Sequence, residues 1–173
     1  MKHLHLETDG SVDPKRSLTP PEGSWSAPGG AGIVLRTEAM DVVATYAVQL
    51  GFVGSALHAE YLALRLGMDK ALEHGATALR ARSDCLVMIR HLRGDWKISN
   101  LEFEDLATQI RHRALRLDPF ELLWAKSTHA PRRRDGTLSA DALAKIGSGV
   151  LRVPKLPPGV VLERTAELEG APR

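Results

Sequence analysis

The segment HLHLETDG, residues 3–10, alternates leucine with polar side chains and ends on a carboxylate followed by glycine. A two-residue alternation is typical of a half-buried β-strand, and an Asp-Gly pair is typical of the turn that follows one. The sequence therefore predicts a first strand that ends near Asp9.

The pattern that follows this strand predicts a mixed α/β fold. Residues 13–30 are rich in proline and glycine, which predicts a long loop. Further strands are predicted at 31–35, 42–50, 78–81 and 121–125, and helices at 55–74, 85–93, 102–116 and 139–146, with Ser55 and Ser139 as the N-caps of the first and last helix. Short links join the early strands and helices join the later ones, so three antiparallel strands should precede parallel ones. The predicted fold class is α/β, a mixed five-stranded sheet flanked by helices.

The composition favours one folded domain. The 173 residues are 43% hydrophobic and 25% charged, which is ordinary for a globular protein. We assign residues 1–147 to this domain. Residues 148–173 contain prolines and glycines without a sustained period and are predicted to form a mobile tail.

Several classes of protein are disfavoured by simple features of the chain. No apolar run approaches the roughly 20 residues that cross a bilayer, and the first residues lack the apolar segment of a signal peptide. Cys85 is the only cysteine, which excludes an internal disulfide and a cysteine-rich metal site. We expect a cytoplasmic protein that makes no membrane contact and is a monomer.

Carboxylates occur where strands and helices are predicted to meet. Asp9 and Asp84 follow strands, and ligand sites of such sheets lie beyond the carboxyl ends of their strands. Glu60 shares its predicted helix face with Leu64 and Ala71, so it should point toward the protein interior. Asp141 lies in the first turn of the last predicted helix.

A divalent cation explains this placement, because Mg²⁺ prefers oxygen ligands and a buried carboxylate needs compensation. Each acidic residue also has a local explanation. Asp9 suits a turn, Asp84 suits a helix cap, and Asp141 suits a helix N-terminus. Their joint placement favours a shared metal site.

Positive charge is concentrated between residues 111 and 134. Seven cations lie there against two anions, Asp118 and Glu121; the cations are Arg111, Arg113, Arg116, Lys126, Arg132, Arg133 and Arg134. Such a cluster suits a phosphate backbone. The same pattern is also that of a solvated helix face followed by a charged loop.

Four motifs, taken in order, resemble the type 1 ribonuclease H family, especially its shorter bacterial and archaeal members described as reverse-transcriptase-like. The resemblance covers residues 3–147. Its motifs are TDGS (8–11) with GAGIV (30–34), AEYLAL (59–64), SDC (83–85) continued by LRGDWKISN (92–100), and SADALA (139–144).

The resemblance implies endonucleolytic cleavage of the RNA strand of an RNA–DNA hybrid, leaving a 3′-hydroxyl and a 5′-phosphate. It implies that two Mg²⁺ or Mn²⁺ ions are bound by Asp9, Glu60, Asp84 and Asp141. It also implies that His129 handles protons, although its spacing to Asp141 is longer than usual and a loop histidine without a role is the alternative. The residues expected to contact the nucleic acid are Gly10, Ser11, Arg111, Arg113, Arg132, Arg133 and Arg134.

The chain departs from the family at positions that contact nucleic acid. Ala56 and Leu57 stand where family members often have asparagines, Leu86 replaces a polar residue, and a basic extra helix is missing. These changes leave open a second hypothesis, a nucleic-acid-binding or partner-binding module of the same fold with little activity. A nuclease for other substrates, such as double-stranded RNA, also remains open.

Overall fold

A computed structural model describes residues 1–19, 25–127 and 130–165 of the chain. This part of the chain forms six strands and four helices, with a short 3-10 helix at Pro14–Arg16. The strands are β1 (His3–Val12), β2 (Ala27–Thr37), β3 (Val42–Val53), β4 (Ala78–Ser83), β5 (Phe120–Trp124) and β6 (Val160–Arg164). The helices are α1 (Ala56–Glu73), α2 (Leu86–Arg93), α3 (Leu101–Ala114) and α4 (Ala140–Ser148). None of these helices is long and apolar enough to span a membrane.

The strands form one mixed sheet in the order β5-β4-β1-β2-β3-β6. Strands β1, β2 and β3 pair in antiparallel fashion, whereas β4 pairs in parallel with β1, and β5 with β4. This arrangement confirms the predicted α/β class and its order of antiparallel and then parallel strands.

The predicted count of five strands is wrong, because β6 lies in the segment that was predicted to be a tail. β6 pairs in parallel with β3, and the Thr165 amide donates to the Gln49 carbonyl at 3.1 Å. Without β6, this edge of β3 would leave a row of backbone groups unpaired. A five-residue strand after a run of prolines is too short to show a period in sequence.

The first two strands are longer than the sequence indicated. β2 begins at Ala27, so the last four residues of the predicted 13–30 loop belong to this strand. β1 continues to Val12, so Asp9 lies within β1 rather than at its end. Gly29 and Gly30 read as loop residues, but both lie in β2. A glycine inside a strand commonly marks the close approach of another backbone.

Helices cover both faces of the sheet. On one face, α1 begins at the predicted N-cap Ser55, whose Oγ accepts from the His58 amide, and it buries Leu64 and Met68 against the sheet. On the other face, α4 begins at the predicted N-cap Ser139 and packs on β2 and β3. Burial of these apolar faces supplies most of the driving force for folding.

Helix α4 lies unusually close to β2, because glycines face it. A Cβ atom on Gly32 would lie 1.8 Å from the Ala140 carbonyl oxygen, and one on Gly30 would lie 2.1 Å from the Ser148 amide nitrogen. Gly32 is also the pairing partner of Asp9. This close approach therefore brings the first turn of α4, with Asp141, next to Asp9.

Candidate metal centre

Asp9 and Asp84 meet where two parallel strands separate. β1 pairs with β4 only as far as Glu7, opposite Arg82, and then continues beside β2 alone. β4 ends at Ser83, so Asp84 follows directly at the end of that strand. Carboxyl oxygens of Asp9 and Asp84 lie within 4.8 Å of each other.

Glu60 reaches the same point from α1. The backbone amide of Gly10 lowers the pKa of the Glu60 carboxyl group and so partly offsets the effect of burial. Gly10 makes this approach possible, because a Cβ atom there would lie 2.4 Å from the Glu60 amide nitrogen. Gly10, which the sequence analysis assigned to nucleic-acid contact, thus lies against the backbone of α1.

The three carboxylates form a compact cluster. Asp9, Glu60 and Asp84 each offer an oxygen atom, and these atoms lie within 4.8 Å of one another. Within the part of the chain that the structure describes, Glu60 Oε2 is buried without a hydrogen-bond partner. A buried, unsatisfied carboxylate oxygen is costly, and a cation beside it would remove that cost.

Burial in the cluster also raises the pKa values of Asp9 and Glu60. Burial, together with the charges of Asp84 and Asp141, raises the pKa of Asp9 to about 7. Burial and the charges of Asp9 and Asp84 raise the pKa of Glu60 well above its ordinary value. An all-oxygen donor set with uncompensated negative charge fits a hard divalent cation such as Mg²⁺.

Asp141 lies at the margin of this cluster. Its Oδ2 accepts a hydrogen bond from Lys145 Nζ at 2.8 Å, one helical turn further along α4. Together with Asp9 and Asp84 it lines a cleft of about 240 Å³. Asp141 therefore faces the same cleft as Asp9 and Asp84 but is paired with Lys145 and is not one of the three clustered carboxylates.

The raised pKa values predict how metal-free protein responds to pH. Asp9 holds its proton to about pH 7 in the folded state but releases it near pH 3.8 when unfolded. Because the folded state then binds more protons, the free energy of unfolding should fall as pH rises from about 4 to about 7. A pKa difference of one corresponds to about 1.4 kcal/mol, so the loss from Asp9 has an upper limit of about 4 kcal/mol.

Urea denaturation in chelator at several pH values measures this loss. Millimolar Mg²⁺ should restore stability at pH 7.5 and have little effect at pH 4.5, since the cation binds the ionised folded state. Stability of the metal-free protein that rises between pH 4.5 and 7 would contradict the assignment.

The α3 arginines lie away from the cluster. Helix α3 runs alongside α1 in the same direction, and Arg113 donates from Nε and Nη2 to Asp69 at 2.7 and 2.9 Å. Asp69 lies nine residues beyond Glu60, about 13 Å along α1. Arg111 donates to the His91 carbonyl at 3.4 Å. The structure does not bring these two arginines to the carboxylates.

The loop arginines differ from one another in their contacts. Arg133 pairs with Glu7 and lines the carboxylate cleft, whereas Arg132 donates to the Gly136 carbonyl at 2.8 Å and Arg134 is exposed. Ser11 accepts a hydrogen bond from Ser148 of α4 at 3.3 Å. His129 lies outside the described residues.

Three residues of the site were missed by sequence reasoning. Arg82 lines the cleft beside Lys126 of the predicted basic stretch, Glu7 lies at its wall, and Lys145 pairs with Asp141. Two simple signals were available. Glu7 precedes Asp9 by two positions, which places both on one strand face, and Lys145 follows Asp141 by four, which places both on one helix face.

Several solved structures superpose on this chain. The RNase H1 of the halophilic archaeon Halobacterium salinarum superposes with a TM-score of 0.71 at 19% identity, over 86% of this chain and 99% of that one. The N-terminal RNase H domain of a Mycobacterium tuberculosis protein gives 0.70 at 22% identity, over 87% and 96%. LC11-RNase H1, solved in complex with an RNA/DNA hybrid, gives 0.65 at 18% identity, over 85% and 97%.

Sequence comparison points to the same family. Among curated protein sequences, none matches this chain significantly. A sequence model of the family described as reverse transcriptase-like matches residues 22–147, a segment that includes Glu60, Asp84 and Asp141. The chain therefore belongs to the reverse transcriptase-like family and has a ribonuclease H-like fold.

Proposed function

We propose that this protein is a metal-dependent endonuclease that hydrolyses the RNA strand of RNA–DNA hybrids. The observation that carries the proposal is the cluster of Asp9, Glu60 and Asp84, with a buried carboxylate oxygen that has no hydrogen-bond partner. A protein that only bound nucleic acid would gain nothing from carboxylates directed at phosphate. The hybrid as substrate is suggested by the relative crystallised with one.

The four carboxylates would hold two Mg²⁺ or Mn²⁺ ions, with Asp9, Glu60 and Asp84 around the first and Asp141 contributing to the second. Such a pair activates a water and stabilises the leaving oxygen of an in-line phosphoryl displacement. Basic side chains of the protein surround the proposed cation sites. Arg82 and Lys126 place positive charge in the cleft, where they can attract and orient the phosphate backbone.

The second candidate function is nucleic-acid or partner binding with weak cleavage. It is favoured by the surface beside Asp84, where Leu86 at the start of α2 is 41% exposed. An apolar side chain there offers no hydrogen bond to a nucleic-acid strand, which weakens recognition of the hybrid. The carboxylate cluster remains intact in either case, so measured cleavage decides between the two functions.

Cleavage of three end-labelled duplexes of one sequence tests the proposal. In Mg²⁺, the hybrid should be cut on its RNA strand alone, with little sequence preference because backbone contacts carry no base information. Double-stranded RNA and DNA serve as the matched substrates. Preferred cutting of double-stranded RNA would reassign the substrate, and absence of cutting on all three duplexes would favour the binding function.

His129 provides a further prediction on the same assay. A histidine side chain is suited to pass protons between the attacking water, the leaving group and solvent. We expect His129→Ala to slow cleavage about 10²-fold, at the lower end of the range for acid–base groups, without loss of metal binding. Cleavage at the parent rate from about pH 6 to 9, around the histidine reference pKa, would show that His129 is not involved.

A further inference from the structure

The segment 130–138 is fixed to the sheet by two ion pairs. Arg36, which is buried in β2, donates to Asp135 Oδ2 at 2.6 Å and to the Met40 carbonyl at 2.8 Å. Within the segment, the Arg133 amide donates to the Thr137 carbonyl at 2.8 Å, which closes a tight turn. The second ion pair joins Arg133 to Glu7 of β1.

Glu7 is an unusual residue for this position. It is only 8% exposed, and it lies on the same face of β1 as Asp9, two residues away. A buried carboxylate is destabilising unless a cation or hydrogen-bond donors compensate it. Arg133 supplies the cation, so the pair has a structural reason to form in the absence of nucleic acid.

Arg133 retains binding capacity within this pair. A guanidinium offers five N–H donors in a planar fork, and the Arg133 side chain remains 41% exposed. It lines the same cleft as Asp9, Asp84 and Asp141. All three arginines line a second hollow, beside Arg36 and Asp135, but Arg132 and Arg134 do not line the carboxylate cleft. The three consecutive arginines are therefore not equivalent.

We propose that Glu7 positions Arg133 so that, of the three loop arginines, Arg133 binds the phosphate of the nucleic acid at the carboxylate cleft. This inference rests on the proposed nuclease function and deepens it. Glu7 is the positioning residue, and Arg133 is the residue that contacts the substrate. The bidentate geometry of the guanidinium suits a phosphodiester, while Glu7 restricts the side chain to the wall of the cleft.

Single substitutions separate the arginines. We expect Arg133→Ala to lower kcat/KM on the hybrid about 10–100-fold, which corresponds to the loss of one charge-assisted hydrogen bond. The slope of log binding constant against log salt concentration should also fall by about one. Arg134→Ala is the comparison variant from the same loop, and its loss of kcat/KM should be much smaller than that of Arg133→Ala. Arg133→Lys keeps the charge but not the fork and should recover part of the loss.

A double-mutant cycle tests the role of Glu7. Glu7→Gln should lower kcat/KM about 3–10-fold in the parent, because it weakens the charged hydrogen bond to Arg133. It should have no further effect in Arg133→Ala. If the Arg133→Ala defect came only from a buried, unpaired Glu7, adding Glu7→Gln would restore activity. That restoration would overturn the proposal, as would additive losses or an Arg134→Ala loss equal to that of Arg133→Ala.

Binding of the hybrid in chelator, where cleavage stops, keeps this test separate from that of the nuclease function. If the parent binds the hybrid but does not cut it, the nuclease function fails, and the weaker binding of Arg133→Ala than of Arg134→Ala still supports the inference. Equal binding by these two variants overturns it. Thermal denaturation of each variant shows whether a loss reflects unfolding.

Discussion

Asp9→Asn is expected to cleave the hybrid more than about 10⁴-fold more slowly than the parent protein. This loss is larger than the loss caused by removal of an acid–base group. Asp9 belongs to the cluster in which the ligand oxygens of Asp9, Glu60 and Asp84 all lie within 4.8 Å of one another. An amide at this position removes a negative charge and one anionic ligand from the cation site. End-labelled hybrid in Mg²⁺ measures the rate.

The same variant should be at least as stable as the parent in chelator at pH 7.5. Its neutral side chain removes repulsion with Asp84 and Asp141, which contributes to the raised pKa of Asp9 in the parent. Mg²⁺ should raise the Tm of the parent but hardly that of Asp9→Asn. Asp95→Asn is the matched control, because Asp95 is exposed beyond the end of α2 and should change neither property. Cleavage by Asp9→Asn at the parent rate would refute the proposed mechanism.

Gly32→Ala is expected to destabilise the fold by about 3 kcal/mol or more, at the upper end of the cost of overpacking. The added Cβ would lie 1.8 Å from the Ala140 carbonyl oxygen and 2.7 Å from the Ala144 amide nitrogen. Both atoms belong to the backbone of α4, so no side-chain rotation can relieve the overlap. The helix must move away from β2, and Asp141 must move with it.

Gly54→Ala is the control for this substitution, because a Cβ atom there would meet nothing within 4 Å. Urea denaturation should show a large loss of stability for Gly32→Ala and a change of less than about 0.5 kcal/mol for Gly54→Ala. Folded Gly32→Ala protein should also cleave the hybrid slowly, since Asp141 is displaced. Equal stability of the two variants would contradict the close packing of α4 on β2.

Sequence periodicity predicted the helices and strands that were long enough to show a repeat. The inward orientation of Glu60 followed from the apolar face of its helix, and the serines at 55 and 139 were recognised as N-caps. Asp9 was placed at a strand end because Asp-Gly favours a turn, whereas in the protein Gly10 allows close contact with α1. A glycine has two physical uses, and the sequence alone does not distinguish between them.

Charge clusters were less predictable than carboxylate positions, because topology separates residues that are close in sequence. Arg113 and Arg133 belong to one basic stretch, but Arg113 pairs with Asp69 along α1 and Arg133 pairs with Glu7 at the cleft. Strand β6 was missed for a related reason. Its pairing with β3 depends on a partner more than 100 residues earlier in the chain, which no local pattern reveals.

Anomalous scattering from crystals of the protein grown with Mn²⁺ tests the central claim most directly. The account predicts a peak bound by carboxylate oxygens of Asp9, Glu60 and Asp84 at about 2.1 Å, the distance typical of a small hard cation. A second, weaker peak is expected on the side of Asp141. Full Mn²⁺ occupancy elsewhere on the protein, with no peak among these three carboxylates, would contradict the account.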